Sequence, residues 1–245
     1  MISGSFDYLI KIWDIKTGKC KRNLTGHNSA IRSLIINKDD ELISGSSNGL
    51  IKIWNMTTGE CKKNLTGHLS WVYSIIINKD NELISGSADR TIKIWNMTAG
   101  QLKRNLVINH PGMIFSLIIS QNDELISGSG DGIIRMWNMT TGEHKRNMIG
   151  HTNQIVSLII NKDNKLISGS ADKTIKVWNT TTGECKRNIT GHNNIVNVLV
   201  LNKFDELISG STDTTIKIWN ITTGECKRNI TGHSAFVFAL LVNEN

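Results

Sequence analysis

The chain has 245 residues with 39% hydrophobic side chains, enough to bury a substantial core in one domain or two. Its formal charge of +7 at pH 7 permits an acidic partner without requiring one. No apolar run approaches the roughly 18 residues of a membrane span, and residues 1–5 lack the pattern of a signal peptide. We therefore expect a cytoplasmic or nuclear protein with no membrane span.

Six of the seven tryptophans recur every 41 or 42 residues, and Trp71 alone stands outside this spacing. The six are Trp13, Trp54, Trp95, Trp137, Trp178 and Trp219. A fixed period of this length indicates one supersecondary unit copied six times. Features shared by all copies are expected to build the fold, and positions that vary among copies are candidates for function.

In chain order, the first complete repeat covers residues 27–65. Its predicted strands are residues 31–37, 41–46, 50–54 and 60–65. Asn48-Gly49 is a strong hairpin signal between the second and third strands, and Lys52 alternates with Ile51 and Ile53 in the third. Four short strands joined by tight turns predict an all-β antiparallel meander, and helical periodicity is absent.

Each repeat combines a Gly-His pair, a Ser-Gly-Ser strand, a polar turn and a strand that ends in Trp-Asp or Trp-Asn. The pairs are Gly26-His27, Gly67-His68, Gly150-His151, Gly191-His192 and Gly232-His233, with Asn109-His110 in the third copy. Only Trp13-Asp14 keeps the literal Trp-Asp dipeptide. Across the whole chain these motifs resemble the WD40 repeat family. The resemblance implies a β-propeller, with four-stranded blades arranged around a channel.

The two ends of the chain bear on the blade number. Residues 2–5 resemble a second strand, and residues 235–242 resemble a first strand. We expect one domain over residues 1–245, a monomeric six-bladed propeller in which the last strand completes the N-terminal blade and closes the ring. A fragment of a larger propeller is the alternative.

Every repeat presents His, Ser, an acidic or Asn residue, and Trp at constant steps of 17, 4 and 6 residues. The sets are His27-Ser44-Asn48-Trp54, His68-Ser85-Asp89-Trp95, His110-Ser127-Asp131-Trp137, His151-Ser168-Asp172-Trp178 and His192-Ser209-Asp213-Trp219, with His233 expected to complete Ser3-Asp7-Trp13.

A Ser-His-Asp inventory is compatible with a hydrolase, but six symmetric copies argue against a catalytic site. The resemblance implies instead a structural hydrogen-bond network, in which the acidic residue accepts from His, His meets Ser, and Ser reaches the indole of Trp. One His per repeat also leaves metal ligands too dispersed, so we expect no enzyme, no metal and no cofactor. The copy with Asn48 is expected to be the least stable.

The fourth strand of each repeat carries a basic pair, and a further basic residue recurs in the third strand. The pairs are Lys21-Arg22, Lys62-Lys63, Lys103-Arg104, Lys145-Arg146, Lys186-Arg187 and Lys227-Arg228. We interpret them as solvated edge charges that discourage strand pairing, which makes nucleic-acid binding the less favoured function. Cys20, Cys61, Cys185 and Cys226 share one repeat position with Leu102 and His144, and this predicts a small, mostly buried site without disulfides.

The copies differ most at the entry to the first strand and before the acidic turn. In WD40-like proteins these positions surround one mouth of the channel, where partners dock. Carried over, the docking residues are Phe6, Arg32, Leu69, Trp71, Met113, Ile195 and Phe236. Tyr73, Phe115 and Phe238 are interpreted as packing between repeats.

The sequence therefore predicts a non-catalytic scaffold that binds a protein or peptide on this face. Two alternatives stay open: a polyanion or nucleic-acid binder that uses the basic edges, and a recently amplified or engineered propeller without an evolved partner.

Overall fold

The structure is a computed structural model that describes residues 1–107 and 110–242. Asn109, part of the divergent third motif, lies outside these residues. The described residues form strands and turns, with no helix among them. They divide into two compact units, residues 1–117 and 118–245, and the expectation of a single domain stays a prediction.

The first unit contains three sheets. Sheet A consists of β1 (Ile2–Gly4), β2 (Ile10–Trp13) and β3 (Cys20–Leu24). Sheet B consists of β4 (Ile31–Ile36), β5 (Glu41–Ser46), β6 (Ile51–Asn55) and β7 (Cys61–Leu65). Sheet C consists of β8 (Val72–Ile77), β9 (Leu83–Ser87), β10 (Ile92–Asn96) and β11 (Gln101–Val107).

The second unit continues the pattern, and β12 spans the boundary at residue 117. Sheet D consists of β12 (Ile114–Ile119), β13 (Glu124–Ser129), β14 (Ile134–Asn138) and β15 (His144–Met148). Sheet E consists of β16 (Ile155–Ile160), β17 (Lys165–Ser170), β18 (Ile175–Asn179) and β19 (Cys185–Ile189). Sheet F consists of β20 (Val196–Leu201), β21 (Leu207–Ser211), β22 (Ile216–Trp219) and β23 (Cys226–Ile230).

Each sheet is an antiparallel meander in which strands pair with their neighbours in the chain, and this confirms the all-β repeat. Closure of the ring is not confirmed, because sheet A has three strands and lacks the fourth that closure requires. Residues 235–242, which are expected to supply the missing strand, are not in a strand here, so closure by this segment stays a prediction. Val237 N–H donates to Ser211 C=O at 3.0 Å, as Ile31 N–H donates to Ser5 C=O, but no ladder follows. The other first strands are held by the second strand that comes directly after them in the chain.

Within each unit, neighbouring sheets meet through their first and second strands. In the first unit β4 lies against β1 and β8, and in the second unit β20 lies against β16 and β17. The fourth strands are the most exposed, and every residue of β23 faces solvent. Side chains of the central strands are buried on both faces, as in the Ile-Lys-Ile-Trp stretch of β6. Sheet stacking therefore forms the core of each unit.

The core between sheets B and C shows which residues pack between neighbouring sheets. It joins Ile43, Ile51, Ile53 and Leu65 of sheet B to Val72, Ile75, Leu83 and Trp95 of sheet C. Branched aliphatic side chains suit this environment because they pack well on a pleated surface. The tryptophan of one repeat thus packs against the aliphatic residues of the repeat before it.

The central glycine of each Ser-Gly-Ser strand has a packing requirement. A Cβ atom on Gly86 would lie 2.5 Å from Ile114 Cγ2 and 3.1 Å from Leu117 Cδ1. Gly169 meets Val196 in the second unit in the same way, at 2.8 Å from Cγ1. Any side chain here would push the next first strand away, so glycine sets the spacing between sheets.

We expect Gly86→Ala to lower the free energy of unfolding by about 1–3 kcal/mol through overpacking. The cost should shrink when Ile114 is also truncated, because Ile114→Ala removes the Cγ2 atom that clashes. Denaturant titration of the two single variants and the double variant measures this coupling. Strictly additive effects would show that the contact does not limit the spacing.

Candidate functional site

The His-Ser-Trp sets form hydrogen-bonded chains through the sheets. In sheet C, Trp95 Nε1 donates to Ser85 Oγ at 2.7 Å, and Ser85 Oγ lies 2.7 Å from His68 Nε2. His68 Nδ1 lies 2.8 Å from Asp89 Oδ2, and Thr91 Oγ1 donates to the other carboxylate oxygen at 2.7 Å. The chain links the third strand, the second strand and the entry to the first.

Sheets E and F repeat this geometry within 0.1 Å. His151 lies 2.7 Å from both Ser168 and Asp172, and Trp178 donates to Ser168 at 2.8 Å. His192 lies 2.7 Å from Ser209 and 2.8 Å from Asp213, and Trp219 donates to Ser209 at 2.7 Å. The glycine before each histidine belongs to the same arrangement. Gly191 has a φ of +138°, and its Cβ position lies 3.1 Å from the Trp219 ring.

The electrostatics of the chain favour a neutral histidine beside an ionised carboxylate. Burial lowers the pKa of His68, and its bond to Asp89 only partly opposes this. Burial opposes the ionisation of Asp89, but hydrogen bonds from His68 and Thr91 outweigh it and hold the pKa of this carboxyl well below its usual range. An ionised Asp89 accepts a hydrogen bond from His68 Nδ1–H. The other ring nitrogen, Nε2, is then unprotonated and accepts a hydrogen bond from the Ser85 hydroxyl.

Ser85 is placed poorly for nucleophilic attack. Its side chain is fully buried, and its oxygen already accepts the indole N–H of Trp95. Ser168 and Ser209 are equally buried. A substrate would have to enter the sheet to reach these hydroxyls, whereas a nucleophile needs an exposed position beside its base.

Sheet B differs at the turn. His27 Nε2 meets Ser44 Oγ at 2.7 Å and Trp54 donates to Ser44 at 2.8 Å, but Asn48 does not contact His27. Asn48 binds Asn28 and Ser46 instead, which leaves the buried Nδ1 of His27 without a partner among the described atoms. Burial and the nearby Lys52 charge lower the pKa of His27 to about 4. The expected Asn48 link to His27 is therefore wrong, because a neutral amide turns towards Asn28.

Two sets contain residues from both units and are described only in part. Trp137 Nε1 donates to Ser127 Oγ at 2.9 Å, and Trp13 Nε1 donates to Ser3 Oγ at 2.8 Å. Asp131 pairs with Arg135 at 2.7 Å, and Asp7 accepts the backbone N–H of Leu9. His110 is buried, whereas His233 is exposed, unlike the other histidines of the sets. The expectation that His233 completes the set of Ser3, Asp7 and Trp13 stays a prediction.

We expect Asn48→Asp to stabilise the protein by ~1 kcal/mol at pH 7, since an ionised acceptor can reach the unpaired Nδ1. For a chain of this size this raises the Tm by about 2–4 °C. As pH falls from 6.5 towards 4, the unfolded chain binds a proton at His27 that the folded protein does not, so stability is lost in this window. The carboxylate should raise the His27 pKa and reduce that loss.

Thermal unfolding between pH 4 and 7.5 measures both effects, with Asn48→Ala as the variant that removes the amide without adding a charge. A lower Tm for Asn48→Asp at pH 7 would contradict this account.

The variable positions in the first unit carry exposed apolar side chains. Leu69 is 90% exposed, Phe6 69%, Met113 47% and Trp71 40%. Hydrogen bonds hold the backbone at two of them: Asp89 accepts the Leu69 amide at 2.9 Å, and Trp71 C=O accepts Ala88 N–H at 2.8 Å. The buried network therefore also positions exposed side chains.

Arg32 organises the aromatic residues of this region. Its Cζ lies 4.4 Å from the centre of the Phe6 ring, 4.1 Å from that of Trp71 and 6.0 Å from that of Tyr73. Trp71 meets Tyr73 edge-on at 5.6 Å, and Tyr73 meets Phe115 at 4.7 Å. We call Phe6, Arg32, Trp71 and Tyr73 the Arg32 cluster. Tyr73 is half-buried, as is its neighbour Phe115.

Ser47 is a member of this region that our list of docking residues omitted. Arg32 Nε donates to Ser47 Oγ at 2.8 Å. The signal is present in the repeats: polar Arg32 and Asn197 occur with hydroxyl residues Ser47 and Thr212, whereas Tyr73, Phe115 and Val156 occur with Ala88, Gly130 and Ala171. These two positions of the repeat vary together because their side chains are in contact. Asn197 binds Thr212 at 3.0 Å in the same way.

In the second unit the corresponding positions are less uniform. Ile195 is half-buried, and Phe236 is 57% exposed. Phe238 contacts Phe236 edge-on at 5.9 Å and is itself 68% exposed. Its interpretation as a packing residue is therefore wrong, because the segment that carries it is not in a sheet.

The sheets, the network and the repeat spacing agree with a family comparison. A sequence profile described as "WD domain, G-beta repeat" matches residues 18–55, 59–96, 101–138, 142–179 and 183–220. The chain belongs to the WD40 repeat family. No curated protein matches the sequence. The described residues contain no helix that is long and apolar enough to cross a membrane.

The basic residues of the WD40 repeats are mostly engaged within the protein. The first residue of the fourth-strand pair binds a glutamate at the start of the second strand, as in Lys62 with Glu41 and Lys227 with Glu206. The second residue reaches turn carbonyls of the next repeat, as in Arg22 with Thr58 and Arg187 with Thr223. The basic edges are exposed to solvent, as the sequence predicts, and their side chains also make these internal contacts.

The third-strand basic residues are engaged as well. Lys52 and Lys93 are buried, and their Nζ atoms donate to Asn64 and Asn105 at 2.6 Å. The long apolar stem of each lysine packs into the sheet, and its ammonium group donates to an uncharged amide oxygen.

The cysteines are exposed, contrary to the expectation of a mostly buried site. Leu102 and His144 are exposed at the same position. The fourth strand is the outermost strand of each sheet, so nothing covers this side chain. No group of three or more His, Cys, Asp or Glu residues suitable for a metal was found in the described part of the chain.

A cavity of about 450 Å³ in the second unit is a feature of the repeat. It is lined by residues such as Asn164, Thr181, Lys186 and Ile221. A cavity of about 350 Å³ adjoins the equivalent turn in the first unit, near Thr98 and Lys103. Both lie at the turns before the fourth strand, at the end of the sheet opposite the variable positions. Neither contains a residue of the Arg32 cluster.

Proposed function

We propose that this WD40 protein is a non-catalytic interaction module that binds a protein or peptide through the variable positions. The observation that carries the proposal is the exposure of Phe6, Leu69, Trp71 and Met113 on backbones that strands and turns hold in place. Aromatic and Met side chains on a rigid support are typical interface anchors. Ile195 and Phe236 occupy the corresponding positions of the second unit.

Two observations support an absence of catalysis. The repeated serines lie inside the sheets, and each accepts a tryptophan N–H. The Asp and His partners serve backbone amides and strand contacts, as in the Asp172 bond to the Thr152 amide. We therefore assign the repeated network a structural role.

Polyanion or nucleic-acid binding receives less support. A phosphate backbone needs free basic side chains, ideally with stacking aromatics between them. Here Lys62, Lys103 and Lys145 are paired with glutamates, and Arg22, Arg146 and Arg187 donate to carbonyls. Binding at these edges would have to break internal contacts.

Trp71→Ala should weaken partner binding by at least about tenfold, because a buried aromatic anchor contributes about 2 kcal/mol or more. Affinity capture with wild type, Trp71→Ala and Phe236→Ala, followed by titration of the captured protein, measures this. Phe204→Ala is the matched control: Phe204 is 72% exposed beside Lys203, at the opposite turn of its sheet. Equal retention by Trp71→Ala and Phe204→Ala would overturn the docking surface. Capture of nucleic acid alone would favour the polyanion alternative.

We also propose that the propeller closes in a monomer, with residues 237–241 added to β1 as the missing strand of sheet A. Val237 is already buried and bonded to Ser211, as a first strand requires. Amide exchange in a sample shown to be monomeric should find residues 237–241 as protected as residues 196–200 of β20. Exchange as fast as in an unstructured peptide would contradict closure.

A further inference from the structure

The guanidinium of Arg32 has no acceptor among the described residues for its terminal nitrogens. Its only hydrogen bond among the described residues is from Nε to Ser47. No described carboxylate lies within ion-pair distance of it. By contrast, Arg135 pairs with Asp131 and Arg187 donates to Thr223. Arg32 therefore presents a positive charge with two free η nitrogens.

The surroundings hold this group in one orientation. Phe6 and Trp71 lie over it at 4.4 and 4.1 Å, and Ser47 fixes the Nε edge. Ring faces stabilise a guanidinium, but they provide no hydrogen-bond acceptor in its plane. The two η N–H groups that remain form a planar fork, which matches the two oxygens of a carboxylate. Arg32 is itself half-buried against these rings, so an ion pair formed there would be less screened than one on an open surface.

The segment that carries Trp71 defines the rest of the ligand. Trp71 lies against Arg32 and is 40% exposed, and Leu69, two residues before it in the chain, is 90% exposed, so both can contact an apolar side chain next to the acidic residue. Tyr73 stays an uncharged phenol, because burial raises the pKa of its hydroxyl and the Arg32 charge only partly opposes this. The site therefore combines one positive charge with apolar side chains. The Asp89 carboxylate behind Leu69 is only 8% exposed, and His68, Thr91 and the Leu69 amide occupy its oxygens.

We propose that the Arg32 cluster binds an acidic peptide segment, in which one Asp or Glu carboxylate pairs with the η nitrogens of Arg32 and a neighbouring apolar residue packs on Trp71 and Leu69. This inference rests on the proposed function, since it identifies the class of partner for the same surface.

In sheet F of the second unit, the repeat position that corresponds to Arg32 has no free cationic donor. Asn197 occupies the place of Arg32, and its Nδ2 is engaged by Thr212 and by the Val237 carbonyl, both at 3.0 Å. A neutral amide with its donors engaged has no means of capturing a carboxylate. Recognition of an acidic residue is thus specific to sheet B.

The test is selection from a random peptide library displayed on phage against wild type, Arg32→Met, Arg32→Lys and Trp71→Ala, with Phe204→Ala as control. All variants are first compared by thermal unfolding. We expect wild type and Phe204→Ala to enrich peptides in which Asp or Glu adjoins an apolar residue. Arg32→Met keeps the stacked stem without the charge and should enrich peptides without the acidic residue, whereas Trp71→Ala should enrich none.

The strongest peptide is then synthesised with its acidic residue and with the matching amide. The amide should bind wild type at least about tenfold more weakly, as expected when one charged hydrogen-bonded partner is lost. Arg32→Met should not distinguish the two peptides, and Arg32→Lys should distinguish them less than wild type because it lacks the planar fork.

Enriched peptides without acidic residues, or equal discrimination by wild type and Arg32→Met, would overturn the carboxylate site and leave the interaction surface intact. Displacement of the peptide by oligothymidylate at a comparable concentration would also overturn it, in favour of a polyanion. No enrichment by wild type would overturn the proposed function itself.

Discussion

The Ser-Gly-Ser tripeptide of the second strand is the constraint on which the rest of the structure depends. The glycine, for example Gly86, lies so close to Ile114 of the next first strand that no side chain fits between them, and this fixes a short distance between neighbouring sheets. Its first serine lies at the centre of the chain from tryptophan to histidine. Three consecutive small residues therefore set both the spacing of the sheets and the satisfaction of their buried polar groups.

The network has consequences beyond the core. Asp89 accepts hydrogen bonds from His68 and Thr91 inside the sheet, and the oxygen that faces His68 also accepts the amide of exposed Leu69. The residues that look catalytic in the sequence thus support the surface that we propose for binding. The basic pairs of the fourth strands also have a structural role, because they form ion pairs with glutamates and donate hydrogen bonds to turn carbonyls. Partner binding is left to positions where the copies differ.

How much of the site could be predicted depended on whether a residue acts within its own repeat. The repeated spacing was enough to place Trp71 and Leu69 beside the first strand, and the resemblance to WD40 repeats implied the pairing of Ser85 with Trp95. It could not place Arg32 between Phe6 and Trp71, because those rings come from the repeats on either side. It also missed the exposed cysteines, since a position that tolerates Leu102 can be an uncovered edge as well as a core site.

By itself, the sequence determined the all-β meander, the length of each repeat and the family, because these follow from local periodicity and turn chemistry that are copied along the chain. Tertiary structure alone decided which charges remain available. Lys52 is buried and donates to Asn64, and Arg22 donates to a carbonyl in a turn of the next repeat. His27 Nδ1 has no partner because Asn48 binds Asn28 instead. Arg32 kept two free nitrogens. Such outcomes depend on which groups meet across neighbouring strands and sheets, and no periodicity in one chain encodes those distances.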